Sequence, residues 1–238
     1  MFRARLLGVA LMATMAPSAS IAAQAAVVDE GSFTITVEGS RAGREQFRIV
    51  STPGPQGASM IASATVSLRD LRLVPILRTD STGAPLEYQV ETRRGTVTRE
   101  RLRGSIDRGR ASLHVQGPRG ESASEFVVSD VLILEDDVFH QYYFLALRDV
   151  ASRGHVTVLV PRRGAQISLQ VRDAGTERVL IAGQLLSATH LALTEPDGTI
   201  RDVWVDNARR VLRVELPGRQ LVAVRDDPPP VRPAPAMP

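Results

Sequence analysis

The sequence predicts a mainly β protein: a large, curved antiparallel meander that forms an open or partly closed barrel and packs around one helix. Three observations support this fold class. Apolar and polar residues alternate with period two along most of the chain, and turn residues recur roughly every eight to twelve residues. One stretch, near residues 136–150, has helical periodicity instead. Short strands at regular spacing are typical of antiparallel meanders.

The first 25 residues have the order of features of a secretory signal peptide. A basic head precedes an apolar run from Leu6 to about Ala16, and residues 23–25, Ala-Gln-Ala, match an A-x-A cleavage site. The apolar run is shorter than the roughly 20 residues that a membrane-spanning helix needs. The sequence therefore predicts an exported protein, periplasmic or extracellular, with no transmembrane segment after cleavage.

Residues 26–227 are predicted to form a single β-rich domain. Its first strands form a hairpin, because Phe33, Ile35 and Val37 alternate with polar residues and a glycine-containing turn leads into a second alternating run that ends near Ile49. The same alternation predicts further strands at residues 60–68, 86–92, 97–103, 111–116, 125–128, 155–160, 166–172, 178–182, 185–194, 200–205, 209–216 and 220–225.

The predicted helix spans residues 136–150. Its apolar face contains Phe139, Tyr143 and Leu147, acidic residues open it, and Arg148 lies in its last turn, which suits the helix dipole. A strand over residues 138–147 is the alternative. The proline-rich tail, residues 228–238, lacks the N–H donors that a sheet needs, so we expect it to be disordered.

The composition excludes several kinds of chemistry. The chain has no cysteine, so disulfides, thiolate nucleophiles and cysteine-ligated metals are ruled out. All 29 basic residues are arginine, and the absence of lysine removes Schiff-base and P-loop lysine chemistry. The calculated pI of about 10.1 follows from a small excess of arginine with no lysine or cysteine to titrate. We therefore predict no nucleic-acid partner.

Several arginines are close together in sequence on the predicted outward strand faces. If these side chains cluster, they could bind the phosphates of anionic lipids or lipopolysaccharide, since arginine pairs bidentately with phosphate. The alternative is a solvated strand face on which arginines pair with neighbouring carboxylates and discourage edge aggregation. The residues concerned are Arg93, Arg99, Arg101, Arg103 and Arg110.

The predicted helix concentrates the aromatic residues of the chain. Phe139, Tyr142, Tyr143 and Phe144 are four of ten aromatics. They either fill the core on the concave side of the sheet or form the wall of a pocket for a hydrophobic or amphipathic molecule, with Trp204 as further lining. The first alternative corresponds to a structural or interaction module of the envelope with a solid core, whose partner is an envelope protein. The second corresponds to a ligand-binding module.

No pattern in the sequence indicates a catalytic or metal site, and we predict no enzyme, no metal and no cofactor. His114, His140, His155 and His190 are scattered, and Asp136 and His140, four residues apart, supply at most two metal ligands. Glycine-flanked serine elbows are absent. A hydrolase would require His140 or His155 to meet a serine or a carboxylate across the fold.

The carboxy-terminal run is the most family-like part of the chain. It consists of a strand containing Trp204, a tight turn at residues 206–208, a second strand and then Pro217-Gly218. With the opening hairpin and the segments at residues 134–143 and 158–161, it resembles an uncharacterised family of exported bacterial β-rich proteins. In outline such proteins are similar to the open-barrel lipoprotein carriers of the periplasm, in which a curved sheet wraps helices. The resemblance implies the same curved sheet here.

Overall fold

The computed structural model describes residues 25–54, 57–95, 97–118 and 120–230. The predicted signal peptide and the end of the proline-rich tail lie outside the described residues, apart from Ala25 and residues 228–230. Within the described ranges the strands are β1 (Ala26–Val37), β2 (Ser40–Thr52), β3 (Ser59–Leu68), β4 (Leu71–Asp80), β5 (Pro85–Arg94), β6 (Val97–Asp107), β7 (Arg110–Gly117), β8 (Gly120–Val127), β9 (Val131–Ile133), β10 (His155–Val160), β11 (Ala165–Ile181), β12 (Gln184–Thr194), β13 (Ile200–Val205), β14 (Val211–Leu216) and β15 (Leu221–Arg225).

All of these strands belong to one sheet, whose centre is the antiparallel pair of β1 and β15. From this centre, β2 to β8 follow in order on one side, and β14 back to β9 follow on the other. Every pairing is antiparallel except that of β9 with β10. The sheet ends at β8 and β9, which are not hydrogen-bonded to each other, so it does not close. The predicted antiparallel meander is confirmed.

Two strands escaped the sequence analysis, and a third is longer than predicted. The β4 segment carries Pro75 in its middle, and proline is normally a signal against a strand interior. The three residues of β9 are apolar on both faces and show no alternation. Runs predicted as separate strands at 166–172 and 178–182 form one strand, β11, which continues through an irregularity between Asp173 and Gly175.

The concave side of the sheet is occupied by residues 131–150, which we call the plug. It begins with β9 and continues through a short helix, α1 (Tyr142–Leu147). Its aromatic side chains join those of the first hairpin: Phe33 stacks on Phe47 with ring centroids 5.3 Å apart, and Phe139 lies 6.5 Å from Phe33. The largest apolar cluster of the described residues therefore includes both the plug and the inner sheet face.

The single predicted helix is present but shorter than residues 136–150. The α-helix covers only Tyr142–Leu147, and a separate 3₁₀ turn follows at Val150–Arg153. The N–H groups of Phe139 and His140 both donate to the side chain of Glu45 on β2. The backbone before α1 is therefore hydrogen-bonded to another strand and not within a helix. A left-handed residue, Asp149 (φ 46°), separates α1 from the 3₁₀ turn.

A second, smaller cluster lies on the outer face of the sheet. The hairpin formed by β11 and β12 packs its far half against β13 and β14, and the cluster consists of Val179, Ile181, Ala188, Trp204 and Leu212. The ring of Trp204 stacks on His190 with centroids 4.4 Å apart, and its indole N–H donates to Glu177 at 2.8 Å. In the described part of the chain, no helix is long and apolar enough to cross a membrane.

The end of the domain is tied to its beginning. The Asp226 carboxylate accepts hydrogen bonds from the hydroxyls of Ser32 and Thr34, each at 2.6 Å. Arg210 donates to the carbonyl of Pro230 at 2.7 Å, so the first tail residues lie against the sheet.

We expect Glu45→Ala to lower the free energy of unfolding by about 2 to 4 kcal/mol, because it leaves two buried N–H groups and a buried imidazole without their acceptor. Urea unfolding followed by circular dichroism measures the change. The matched control is Glu30→Ala, which removes a half-exposed carboxylate paired with Arg48 at 3.3 Å and should cost no more than about 1 kcal/mol. Equal losses in the two variants would contradict the proposed role of Glu45.

Candidate functional site

The four aromatic residues predicted to line a pocket are all buried in the plug. Phe139, Tyr142 and Phe144 are at most 1% exposed and Tyr143 is 6% exposed. None of the four lines any of the five main grooves that the described residues form. The structure therefore brings these side chains together as core packing, and their role as ligand contacts stays a prediction.

Trp204 does not join them. Its neighbours along β13, Val203 and Val205, belong to the core on the concave side, whereas Trp204 points to the outer face and its small cluster. The guanidinium of Arg213 lies 5.3 Å from the centre of the Trp204 ring. Period-two alternation could have revealed this separation, because only alternate residues of a strand share a face.

A ring of buried polar groups holds the plug in place. Oxygens of the Glu45 side chain lie 2.6 Å from the Phe139 nitrogen, 2.9 Å from the His140 nitrogen and 2.6 Å from His140 Nδ1. Both side chains are fully buried, and the His140 ring stacks on Phe47 at 5.7 Å. His140 thus meets a carboxylate across the fold, as the hydrolase alternative required. This carboxylate is occupied in holding the plug and has no solvent-exposed surface.

Arg201 ties α1 to the other half of the sheet. Its guanidinium donates to Glu195, to Asp136 at 2.9 Å and to the Tyr142 hydroxyl at 3.2 Å. Burial by itself lowers the pKa of Arg201, but the Tyr142 hydroxyl and the two carboxylates outweigh it and hold this pKa above its ordinary value. The acidic residues expected to open a helix therefore serve as ion-pair partners instead.

Glu135 is the most perturbed carboxyl group of the plug. Burial raises its pKa from 4.5 to about 8, against the opposing effects of Arg162, which lies nearby and donates its backbone N–H at 3.1 Å. The Glu135 N–H in turn donates to the side-chain oxygen of Gln141 at 2.8 Å. A carboxyl group that is largely protonated near neutral pH suits this position, because a buried carboxylate lacking a close cation is costly.

The remaining histidines lie apart from one another. His190 Nδ1 is 2.9 Å from Glu177 and its Nε2 is 2.8 Å from Asp202, on the outer face. His155 contacts the carbonyl of Arg153, and His114 is exposed on β7. Across the ranges that the structure describes, no group of three histidine, aspartate or glutamate side chains is arranged to hold a metal ion.

Two adjoining grooves lie on the outer face of β3 to β8. The first has a volume of about 430 Å³ and runs from Ile61 and Ile76 to Arg103 and His114. The second, about 390 Å³, shares Arg103 and His114 and continues to the outer edge of the sheet at β8. Of the arginines singled out in the sequence, Arg101 and Arg103 border these grooves.

The register explains how these residues meet. Ile76 lies opposite Gln89, Gln89 opposite Arg103, and Arg103 opposite His114, so one row crosses β4 to β7 on a single face. Arg103 was among the residues predicted from the sequence to lie on the outer face, whereas the two isoleucines were not singled out. The alternation of residues 60–68 places Ile61 on the outward face, so its exposure could have been predicted. Ile76 lies on β4, a strand that was not predicted.

Comparisons with known proteins support the fold and assign no activity. No protein-family model matches the sequence, and no curated protein matches it. A β-barrel-like protein of the domain of unknown function DUF1849, from Brucella abortus, superimposes with a TM-score of 0.52 at 9% identity, over 84% of this chain and 97% of that chain. A DUF1089 family protein from Pseudomonas aeruginosa gives a TM-score of 0.39 at 15% identity, over 89% and 97%. At the level of the fold, the predicted resemblance to uncharacterised bacterial β-rich proteins is confirmed.

We expect the free energy of unfolding to fall as the pH rises from about 5 to about 8, in part because of Glu135. A carboxyl group with a raised folded-state pKa contributes stability that is present below its unfolded pKa and is lost as the pH rises through the folded value. Glu135→Gln should flatten this slope, since the amide oxygen can still accept the Arg162 N–H.

Urea unfolding at a series of pH values measures the slope. Glu125→Gln, which changes an exposed carboxylate paired with Arg110, is the control and should leave the slope unchanged. A Glu135→Gln protein whose stability still falls as steeply as that of the wild type would contradict this assignment.

Proposed function

We propose that this protein is an exported, non-catalytic binding protein of the cell envelope and that it takes amphipathic molecules on the outer face of its sheet. One observation carries this proposal: the protein's own plug occupies the concavity, whereas the described grooves on the outer sheet face combine apolar and cationic side chains. A binding site needs a concave surface with a few convergent polar groups, and the outer face of β3 to β7 offers both.

Support for the non-catalytic part comes from the titratable groups. The buried carboxyl groups of Glu45, Glu135 and Glu195 accept or share hydrogen bonds with His140, the Arg162 N–H and Arg201, respectively. They act as structural ties on the concave side of the sheet. The outer grooves contain Arg103 and His114 without any hydrogen bond between a histidine and a carboxylate there, in the residues described. This arrangement suits binding rather than general acid–base chemistry.

Export rests on the sequence of the first 25 residues. If the leader is cleaved at the A-x-A motif, the protein recovered from a bacterial periplasm begins at Ala26. Intact-mass measurement of the periplasmic fraction checks this. Recovery of the full 238-residue chain from the cytoplasm alone would contradict export.

The binding proposal is tested on protein purified from the periplasm, by comparing native with denaturing mass spectra. We expect an added small-molecule mass that disappears on denaturation. Tyr143→Ala, which removes a buried ring of the plug, should reduce stability by about 3 to 5 kcal/mol while leaving the occupancy of the intact fold unchanged. Occupancy that is lost in a folded Tyr143→Ala protein would instead place the ligand in the concavity.

A second candidate function is an interaction module of the envelope, and the open edge of the sheet favours it. All of β8 is exposed or half-buried, and Val127, at its end, is 79% exposed. An edge strand with free backbone groups can pair with a segment of another chain. A co-purifying protein in the native spectra, lost in a Val127→Arg variant, would support this candidate over a small-molecule ligand.

A further inference from the structure

We propose that the joined outer grooves form a binding site for a single amphipathic anion, with its apolar chain over Ile61 and Ile76 and its acidic head at Arg103 and His114. This inference rests on the proposed function and names the class of ligand. We call this surface the outer groove; it is bordered by Ile61, Ile76, Arg101, Arg103, Ser105 and His114.

The apolar end is formed by two isoleucines on neighbouring strands. Ile61 lies opposite Arg78 and Ile76 lies opposite Ser63, so the two isoleucines are diagonal neighbours on the outer face. Both are half-buried although they point away from the core. They therefore present a continuous apolar patch at one end of the outer groove, which an alkyl or aryl group can cover.

Small side chains form one side of the outer groove. Ser105 lies opposite Glu87 on one neighbour and opposite Ser112 on the other, so two serines separate the longer side chains of β5 and β8. At the next position, Gly104 faces the inner side of the sheet, where a Cβ would approach the buried Leu113 side chain to 2.7 Å. The outer face therefore carries small side chains in the row beside that of Ile76, Gln89 and Arg103.

The cationic end is formed by Arg103, which lies beside its cross-strand partner His114. Among the residues that the structure describes, Arg103 has no ion-pair partner, whereas Arg78 pairs with Glu87 at 2.8 Å and Arg101 lies 3.7 Å from Glu91. The carboxylate of Glu121, at the far wall, accepts from Gln116 at 2.9 Å. Arg103 is thus the free cation of the groove, and its planar fork suits a carboxylate or a phosphate.

The spacing of the two ends suits an amphipathic molecule rather than a free anion. Ile76 and Arg103 are in the same row and two strands apart, which corresponds to about 10 Å. The volume of about 430 Å³ is within the range of small-molecule sites, roughly 300 to 1,000 Å³. An inorganic anion would use only the Arg103 end and leave the apolar end uncovered.

The test measures binding of defined probes to the mature protein by isothermal titration calorimetry. The probes are decanoate, lysophosphatidylglycerol, decanol, decyltrimethylammonium and inorganic phosphate. We expect at least one of the two amphipathic anions to bind with a 1:1 stoichiometry, about tenfold more tightly than decanol. Tighter binding of decanoate would identify a free fatty acid as the source of the acidic head, and tighter binding of lysophosphatidylglycerol would identify a phospholipid. We expect decyltrimethylammonium and phosphate to bind more weakly than decanol.

Substitutions test separately which residues bind the acidic head and which bind the apolar chain. Arg103→Gln should weaken the anion about tenfold and leave decanol unchanged, whereas Ile76→Asn should weaken both. The matched controls are Arg94→Gln, which changes an exposed arginine paired with Asp70, and Ile200→Asn, which changes an exposed isoleucine elsewhere. Both controls should bind as the wild type does. If Ile76→Asn fails to fold, Ser105→Trp blocks the middle of the groove from an exposed position.

The outcomes separate this inference from the proposed function. If Arg103→Gln and Arg94→Gln bind the anion equally well, or if decanol binds as tightly as both anions, the outer groove is not the site. A small molecule that co-purifies with every groove variant would then leave the proposed function standing. If the wild type carries no added mass and binds none of the amphipathic probes, both the inference and the proposed function are wrong.

Discussion

The fold depends on one buried carboxylate, that of Glu45, because it accepts the backbone of a segment that would otherwise have no place in a β core. Residues 131–150 cross the concave side of the sheet with two N–H groups and an imidazole directed at β2. Buried polar groups are tolerated only when they are hydrogen-bonded. Glu45 meets this requirement, and Arg201 supports it from the opposite half by holding Tyr142. These ties allow Phe139 to pack beside Phe33, so the apolar core forms around the hydrogen bonds of Glu45.

The plug fills the concave side of the sheet with the protein's own side chains. Phe139, Tyr142, Tyr143 and Phe144 are buried there and belong to the main apolar cluster. Two adjoining grooves of the described residues lie on the outer face of the sheet. Arg101 and Arg103 border these grooves and place positive charge on this face. The open edge at β8 lies beside the same surface.

Local pattern predicted most strands because strand alternation is a direct result of one buried and one exposed face. It failed where that condition does not hold. The β9 segment is buried on both faces, and β4 contains Pro75, whose missing N–H counts against a strand in any local scheme. The helix was predicted too long for a related reason. Apolar periodicity continues through residues 136–150, but the buried acceptor on β2, some ninety residues away in sequence, binds two of its N–H groups.

The sequence by itself determined the fold class, the absence of thiol and lysine chemistry, the expectation of export and the face on which each alternating side chain lies. These properties depend on composition or on neighbours within a strand. Only the tertiary structure decided that the aromatic cluster is core, that Trp204 is on the opposite face, and that Ile76 and Arg103 share one row. Such relations depend on the register between strands and on the path of the plug. Long-range pairing sets both of these, and no local pattern encodes it.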